Sequence, residues 1–169
     1  MISNLLPDFL CFAKIRPFFL WLAGAKIKSI RKTFIRQGFF VEYASNLILG
    51  EYSLINRNVY FCGNGIIQIG DFVRIAMNVQ IINISHEGEI WERDVVQPVI
   101  IKDGCHLSAG SIILPGTVLE KNVFVGAGAV VSGNTRPGGI YIGNPARLVG
   151  FRKDLNNAST VSDAGVTNG

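Results

Sequence analysis

The chain contains two histidines, His86 and His106, and three cysteines, Cys11, Cys62 and Cys105. His86 lies in the segment richest in reactive side chains, Ser85-His86-Glu87-Gly88-Glu89-Ile90-Trp91-Glu92-Arg93-Asp94. A histidine changes charge near neutral pH, with a reference pKa of about 6.5, so it can take a proton from a reacting group and return it. Glu87, Glu89, Glu92 and Asp94 make the same segment acidic, and one such carboxylate could hold the imidazole tautomer while the rest are solvated. Two histidines cannot build a three-histidine zinc site within one chain. Three cysteines without CxxC spacing argue against a disulfide scaffold or a zinc ribbon, and favour a reducing compartment. No metal is expected.

The elements that position His86 follow from a repeat. Its length of 169 residues fits one domain, and 49% hydrophobic with only 17% charged residues excludes a disordered chain and a coiled coil. From residue 101, large aliphatic residues recur every six positions: Ile101, Leu107, Ile113, Leu119, Val125 and Val131. Leu49, Ile55 and Phe61 form one upstream group, and Ile69, Ile75 and Ile81 the next. Four positions after each leader stands a small or β-branched residue, as at Ser53, Val73, Cys105, Ser111, Thr117 and Ala129. A period of six is neither helical nor that of a plain strand. It fits a prism of short parallel strands, with one hexad per side and three per coil. Leaders point inward, and only small side chains fit near each corner. Gly50, Asn58, Gly70, Asn78, Gly116, Asn122 and Gly126 are expected at corners, where positive φ costs them little. Four regular coils would stand about 19 Å tall, at about 4.8 Å per coil.

The repeat breaks at one recurring corner. The steps from Val41 to Leu49 and from Phe61 to Ile69 are eight residues, and that from Ile81 to Ile101 is twenty. The last implies a 14-residue excursion over about residues 84–98, with His86 at its start. Long loops in compact folds tend to carry function.

The N-terminal segment has a different character. Residues 1–40 hold seven basic side chains against Asp8, whereas the remainder holds nine basic and eleven acidic ones. The basic balance therefore belongs to one end and not to a groove along the body, which argues against a nucleic-acid surface. Phe18-Phe19-Leu20-Trp21-Leu22 is apolar, but Lys14, Arg16 and Pro17 leave no unbroken span of about 20 residues. Basic residues on both sides also argue against a signal peptide. Two readings remain: a cap over an open end of the prism, and an interfacial helix placing Trp21 and Phe18 in lipid with Lys26, Lys28, Arg31 and Lys32 on headgroups. The expected organisation is a cap segment over 1–34, the prism over 35–153 with its loop at 84–98, and a polar, mobile tail over 154–169. Membrane contact, if any, would run through residues 9–36.

Over about residues 35–152 the sequence resembles the hexapeptide-repeat acyltransferases, in the branch of maltose, galactoside and polysaccharide O-acetyltransferases. The resemblance rests on Pro98-Val-Ile-Ile-Lys-Asp-Gly-Cys-His-Leu-Ser-Ala-Gly-Ser-Ile-Ile-Leu-Pro-Gly-Thr-Val118, on Val125-Gly-Ala-Gly-Ala-Val-Val131, and on Ile142-Gly-Asn-Pro-Ala-Arg-Leu-Val149. It implies an all-β, left-handed parallel β-helix, a homotrimer with active sites between subunits, and acetyl-CoA as the acetyl donor lying along the coils. That handedness contravenes the usual rule for parallel strands and comes from the family alone.

The resemblance also assigns residues. His86, after Ile81-Ile-Asn-Ile-Ser, matches the catalytic histidine, which would act as general base on an acceptor hydroxyl. Asn56 matches an asparagine that positions the acceptor, and Asn83 is a further orienting candidate. Trp91 would stack on a sugar or plug the neighbouring subunit. Ala109, Ala127, Ser132 and Gly133 match positions lining the CoA channel, although corner sterics also demand small residues there. Arg147 matches an arginine near the CoA phosphates, and Arg152 and Lys153 would complete a cationic fork. His106 replaces a family tryptophan, and Lys102, Ser108 and Glu120 replace glycines; His106 could shape the acceptor pocket or fill an outward site.

The expected function is acetyl-CoA-dependent O-acetylation of a sugar in surface polysaccharide or lipopolysaccharide synthesis. The long N-terminal helical extension of the maltose and galactoside enzymes is lacking, which disfavours free sugars. The expected location is cytoplasmic or peripheral at the inner membrane face. N-acetylation of a nucleotide-linked amino sugar and a non-catalytic assembly role are the alternatives. A γ-type carbonic anhydrase would need a third histidine.

Overall fold

The computed structural model describes residues 10–87 and 93–153. Coil one holds β1 (Lys26–Ile27), β2 (Phe34–Ile35) and β3 (Phe40–Val41), and coil two holds β4 (Leu47–Leu49), β5 (Leu54–Ile55) and β6 (Tyr60–Cys62). Coil three holds β7 (Ile67–Ile69), β8 (Arg74–Ile75) and β9 (Gln80–Ile82). The hairpin β10 (Ile84–Glu87) and β11 (Arg93–Val96) then leaves the prism. Coil four holds β12 (Val99–Ile101), β13 (His106–Leu107) and β14 (Ile112–Ile113), and coil five holds β15 (Val118–Leu119), β16 (Phe124–Val125) and β17 (Val130–Val131). β18 (Gly139–Ile142) begins a sixth turn, and β19 (Arg147–Phe151) folds back antiparallel on it.

Equivalent strands stack in parallel into three sheets. The first face runs β1-β4-β7-β12-β15, the second β2-β5-β8-β13-β16-β18-β19, and the third β3-β6-β9-β14-β17. The prism thus has five full coils, one more than the repeat suggests, and starts at Lys26, upstream of residue 35. Coil one escapes the sequence pattern because a 3-10 turn at Ile30–Lys32 interrupts its hexads.

The inward columns are those the repeat predicts. Ile35, Ile55, Ile75, Leu107 and Val125 stack on the second face, and Val41, Phe61, Ile81, Ile113 and Val131 on the third, all buried. Each fully buried aliphatic side chain of this kind contributes about 1.5–3 kcal/mol. The small fourth-after residues are buried too, except Gly65 and Ser85, which stand at the irregular corner. Burial also pushes the Cys105 thiol up to about 12, so this cysteine serves as packing.

Two kinds of glycine occupy the corners. Asn58, Asn78, Asn122 and Gly116 adopt positive φ as expected, but Gly50, Gly70 and Gly126 do not. Gly50 and Gly70 are needed for space: a Cβ on Gly50 would run into Gly70, and one on Gly70 into Asp103. The crowding comes from a carboxylate ladder, in which Asp71 accepts from the Glu51 N–H at 2.9 Å and Asp103 from the Asp71 N–H at 3.0 Å. Tyr52 (φ 56°) and Phe72 (φ 58°) take the left-handed positions on that corner. Their rings stack 4.9 Å apart, with the Lys32 ammonium 4.7 Å from the Tyr52 ring centroid. These contacts offset a backbone cost of about 1–2 kcal/mol per residue.

Helix α1 (Leu10–Leu22) caps the open end below coil one. Ala13, Arg16, Pro17 and Leu20 form its buried side. The Arg16 guanidinium, one of the basic residues of the N-terminal tally, is only 1% exposed and donates from Nη1 to the Ile35 carbonyl at 3.2 Å. A strand carbonyl at this end of the prism has no further coil below it, and a buried arginine supplies the missing donor.

Candidate active site

The hairpin is stapled to the prism before it leaves it. Asn83 is fully buried; its Oδ1 accepts from the Gly65 N–H at 3.0 Å and its Nδ2 donates to the Gly65 carbonyl at 2.8 Å. The Asn83 carbonyl accepts from Gln97 N–H at 2.9 Å, which closes the base from the returning strand. Gly63 (φ 101°) makes this possible, since any Cβ there would overlap the Asn83 side chain. The eight-residue step from Phe61 to Ile69 is therefore the socket that receives Asn83. Asn83 was expected to orient a substrate. The structure corrects this: both ends of its amide are spent on Gly65, so it is a structural staple.

Beyond the staple, β10 and β11 pair antiparallel with Ile84 opposite Val96, Ser85 opposite Val95, and His86 opposite Asp94. Directly opposed side chains on one face of such a pair are in contact range. His86 Nδ1 lies 2.8 Å from Asp94 Oδ1, and both residues are exposed. Asp94 thus meets the imidazole directly. It fixes the tautomer with hydrogen on Nδ1, which makes Nε2 the basic nitrogen. Trp91, Glu89 and Glu92 lie outside the described residues.

The remaining candidates fall on separate edges. Asn56, Ala109 and Ala127 line the corner between the second and third faces, where Asn56 Oδ1 accepts from the Arg57 N–H at 2.8 Å. Turns on this corner stack directly, the Gly128 N–H donating to the Ala109 carbonyl and the Gly110 N–H to Met77. A Cβ on Gly110 or Gly128 would meet nothing within 4 Å, so this edge is an open shelf. Ser132 and Gly133 stand exposed at the other edge of the third face, the same corner from which the hairpin emerges. Within one chain, His86 and Asn56 therefore sit on different corners, a prism side of up to about 20 Å apart for six extended residues.

The expected cationic fork does not form. Arg147 opens β19 opposite Ile142, whereas Arg152 follows its far end, about 15 Å away for a strand of that length. Arg147 is exposed and donates to the adjacent Ala146 carbonyl at 3.1 Å. Arg152 reaches back to the corner between the first and second faces, donating from Nη1 to the Gly104 and Asn122 carbonyls at 3.1 and 3.2 Å. Lys153 is exposed beside it. His106 points outward from the second face, its ring stacked 5.1 Å from that of Phe124. With Phe72, Arg74, Asn122 and Arg152 it lines a cleft of about 490 Å³. Burial, and then the charges of Arg152 and Arg74, push its pKa down, which favours the neutral ring. His106 is thus on a different face from His86, and within one chain it takes no part in that site. Among the described residues no group of three His, Cys, Asp or Glu side chains could hold a metal ion.

The bacterial transferase hexapeptide family, in its six-repeat form, matches residues 98–133. A Saccharomyces cerevisiae protein provisionally named an acetyltransferase is 30% identical over 133 residues, covering 76% of this chain and 67% of that protein. The chain belongs to the hexapeptide-repeat acetyltransferase family. Among solved members, a maltose O-acetyltransferase from Clostridium difficile superposes with a TM-score of 0.79 at 29% identity, covering 90% of this chain and 82% of that one. A hexapeptide-repeat acetyltransferase from Vibrio cholerae, solved with acetyl-CoA, has the same TM-score and coverage at 24% identity and shows the shared fold. The chain spans from 54% to 67% of the length of the first two curated relatives it matches.

Proposed function

We propose that the chain transfers the acetyl group of acetyl-CoA to a sugar hydroxyl, with His86 as general base. The observation that carries this reading is the His86–Asp94 pair on a hairpin held rigidly at its root. The acceptor O–H gives its proton to His86 Nε2 as its oxygen attacks the thioester carbonyl. Asp94 holds the imidazole in the receiving tautomer and faces the imidazolium that forms. The tetrahedral oxyanion collapses, the C–S bond breaks, and the imidazolium returns the proton to the CoA sulfur. The products are the acetyl ester and free CoA thiol.

The open, small-residue edges of the third face suit the donor. Ala109 and Ala127 on one edge, and Ser132 and Gly133 on the other, leave backbone amides accessible to a thin amide-bearing arm, and one N–H could stabilise the oxyanion. Arg147, at the upper end of the prism, would meet a donor phosphate, a role for which arginine geometry is well matched. Arg152 is committed to backbone carbonyls and is not assigned that role.

The separation of His86 from Asn56 favours a homotrimer in which the hairpin of one subunit approaches the second–third corner of the next. Two half-sites that lie on different corners of one chain would be completed by a neighbour. The family resemblance adds that the solenoid is left-handed.

The test is CoA thiol release across a panel of sugars and nucleotide sugars. His86→Ala should fold normally and turn over at least about 10² more slowly. Sedimentation should give a trimer. Mixing His86→Ala chains with Ala127→Trp chains, each inactive alone, should restore part of the activity. A folded His86→Ala protein with near-native turnover would overturn the assignment, and an active monomer would overturn the shared site.

A further inference from the structure

The capping helix uses one of its two faces. Ala13, Arg16, Pro17 and Leu20 are buried on coil one, whereas Ile15, Phe18, Trp21 and Leu22 are exposed, Leu22 at 68%. At 3.6 residues per turn Ile15, Phe18 and Leu22 lie on the side of α1 opposite the buried set, and Trp21 lies on its flank, about 40° round from Pro17. The exposed stripe therefore points away from the end of the prism. Phe18 and Trp21 pack within it, ring centroids 5.9 Å apart.

Basic residues flank this stripe. Residues 10–41, from the helix to the last strand of coil one, include no aspartate or glutamate, and Glu42 follows at the next corner, where it accepts from the Gly63 N–H. Lys28 and Lys32 are paired with Asp71 and Glu51 of the coils above. Lys14, Lys26 and Arg31 are exposed and have no ion-pair partner among the described residues. They stand at three places on the rim: Lys14 over the Phe34 ring on the second face, Lys26 on the first face, and Arg31 at the corner between them. A groove of about 750 Å³ opens beside Trp21 along the first face, with Ile27, Ile48 and Lys26 among its walls. No described helix is long and apolar enough to cross a membrane.

We propose that this end of the prism docks on an anionic lipid surface. Ile15, Phe18, Trp21 and Leu22 enter the headgroup region, and Lys14, Lys26 and Arg31 meet lipid phosphates. An apolar stripe alone would fit many partners. The stripe, flanked on two adjacent faces by Lys14, Lys26 and Arg31 with no aspartate or glutamate between residues 10 and 41, matches an interface that is apolar inside and negative at its surface. Because α1 lies across the end of the prism, docking sets the prism axis along the membrane normal. The hairpin leaves after coil three, so His86 would stand roughly 20 Å from the axis of the docked helix, two to three rises of about 4.8 Å plus a packing distance of about 8–10 Å between the helix and coil one. The proposal does not depend on acetyl transfer and is tested without it.

The test uses the full chain and vesicles of phosphatidylcholine, with or without phosphatidylglycerol. In a Trp91→Phe background, Trp21 is the single tryptophan and reports insertion directly. The expected result is co-sedimentation with anionic vesicles, a blue shift of Trp21 emission, and weakening as salt is raised. Lys26→Gln with Arg31→Gln should weaken binding roughly tenfold or more, since each cation near such a surface counts about fivefold. Phe18→Ser with Trp21→Ser and Leu22→Ser should abolish it while the melting temperature is kept. Absence of binding to anionic vesicles, or binding that neither set of changes reduces, overturns the proposal. So does a fall in oligomeric state for the apolar triple variant without vesicle binding, which would make the stripe a contact between copies of the chain.

Discussion

His86 and Asp94 face each other across a two-stranded hairpin, Nδ1 to Oδ1 at 2.8 Å, eight residues apart in sequence. The carboxylate fixes which imidazole nitrogen is basic, so it acts through His86. Asp94→Asn should lower kcat by about 10² and leave KM for acetyl-CoA near its original value, while Asp94→Glu recovers part of the loss. Steady-state kinetics on the three proteins checks this, and an Asp94→Asn enzyme with unchanged kcat would remove Asp94 from the mechanism.

Asn83 holds that hairpin in place. Asn83→Ala strands the N–H and the carbonyl of half-buried Gly65, at a cost below the roughly 1–3 kcal/mol that each would carry if fully buried. The urea midpoint should fall accordingly. Hydrogen exchange should quicken in residues 84–87 and 93–96 before the coils are affected. Uniform loss of protection across the whole chain would show instead that the staple belongs to the core.

Gly70 tests the corner ladder. Its φ is ordinary, yet an added Cβ would meet the Asp103 carboxylate and backbone. Gly70→Ala should destabilise by about 1–3 kcal/mol, the cost of overpacking against atoms that cannot swing aside. At Gly128, where φ is positive and the space is open, the penalty of an alanine is backbone strain alone, about 1–2 kcal/mol. In an Asp103→Ala background the penalty of Gly70→Ala should shrink but not vanish, because the Asp103 N and Lys102 C backbone atoms would still crowd the new Cβ, and thermal melts of the single and double variants decide the point.

His106 couples stability to acid. Its folded-state pKa is depressed, first by burial and then by Arg152 and Arg74, so the unfolded chain binds its proton more readily. The neutral ring's contribution is therefore present above the unfolded pKa of about 6.5 and is lost as pH falls through the folded value. His106→Gln should flatten the decline of the urea midpoint between pH 7 and pH 5. An equally steep decline in the variant would place that loss on other groups.

Much of the fold is written in local spacing. A hexad fits one prism side, so its leader and its fourth-after residue must both face inward. Ile101, Leu107, Ile113, Cys105 and Ser111 are all buried where that rule puts them. The broken steps at one corner likewise mark where a hairpin can leave, and a lone histidine at its start is legible as chemistry. Sequence reading missed coil one, because a 3-10 turn hides its period, and assigned Gly50 and Gly70 to conformation when the need was space.

What tertiary structure alone decided are relations between distant coils. Asn83 and Gly65 are 18 residues apart and become partners because a coil and its bulge bring them level, which turns a candidate ligand residue into a staple. Arg147 and Arg152 are near neighbours in sequence, yet an intervening strand drives them to opposite ends of β19. Arg16 reads as surface charge until the carbonyl of Ile35 needs a donor at the prism's open end. The sequence by itself determines which side of each strand is apolar, because that depends on period. It does not determine which polar group meets which, because that depends on how many residues each corner adds before the next coil closes over it.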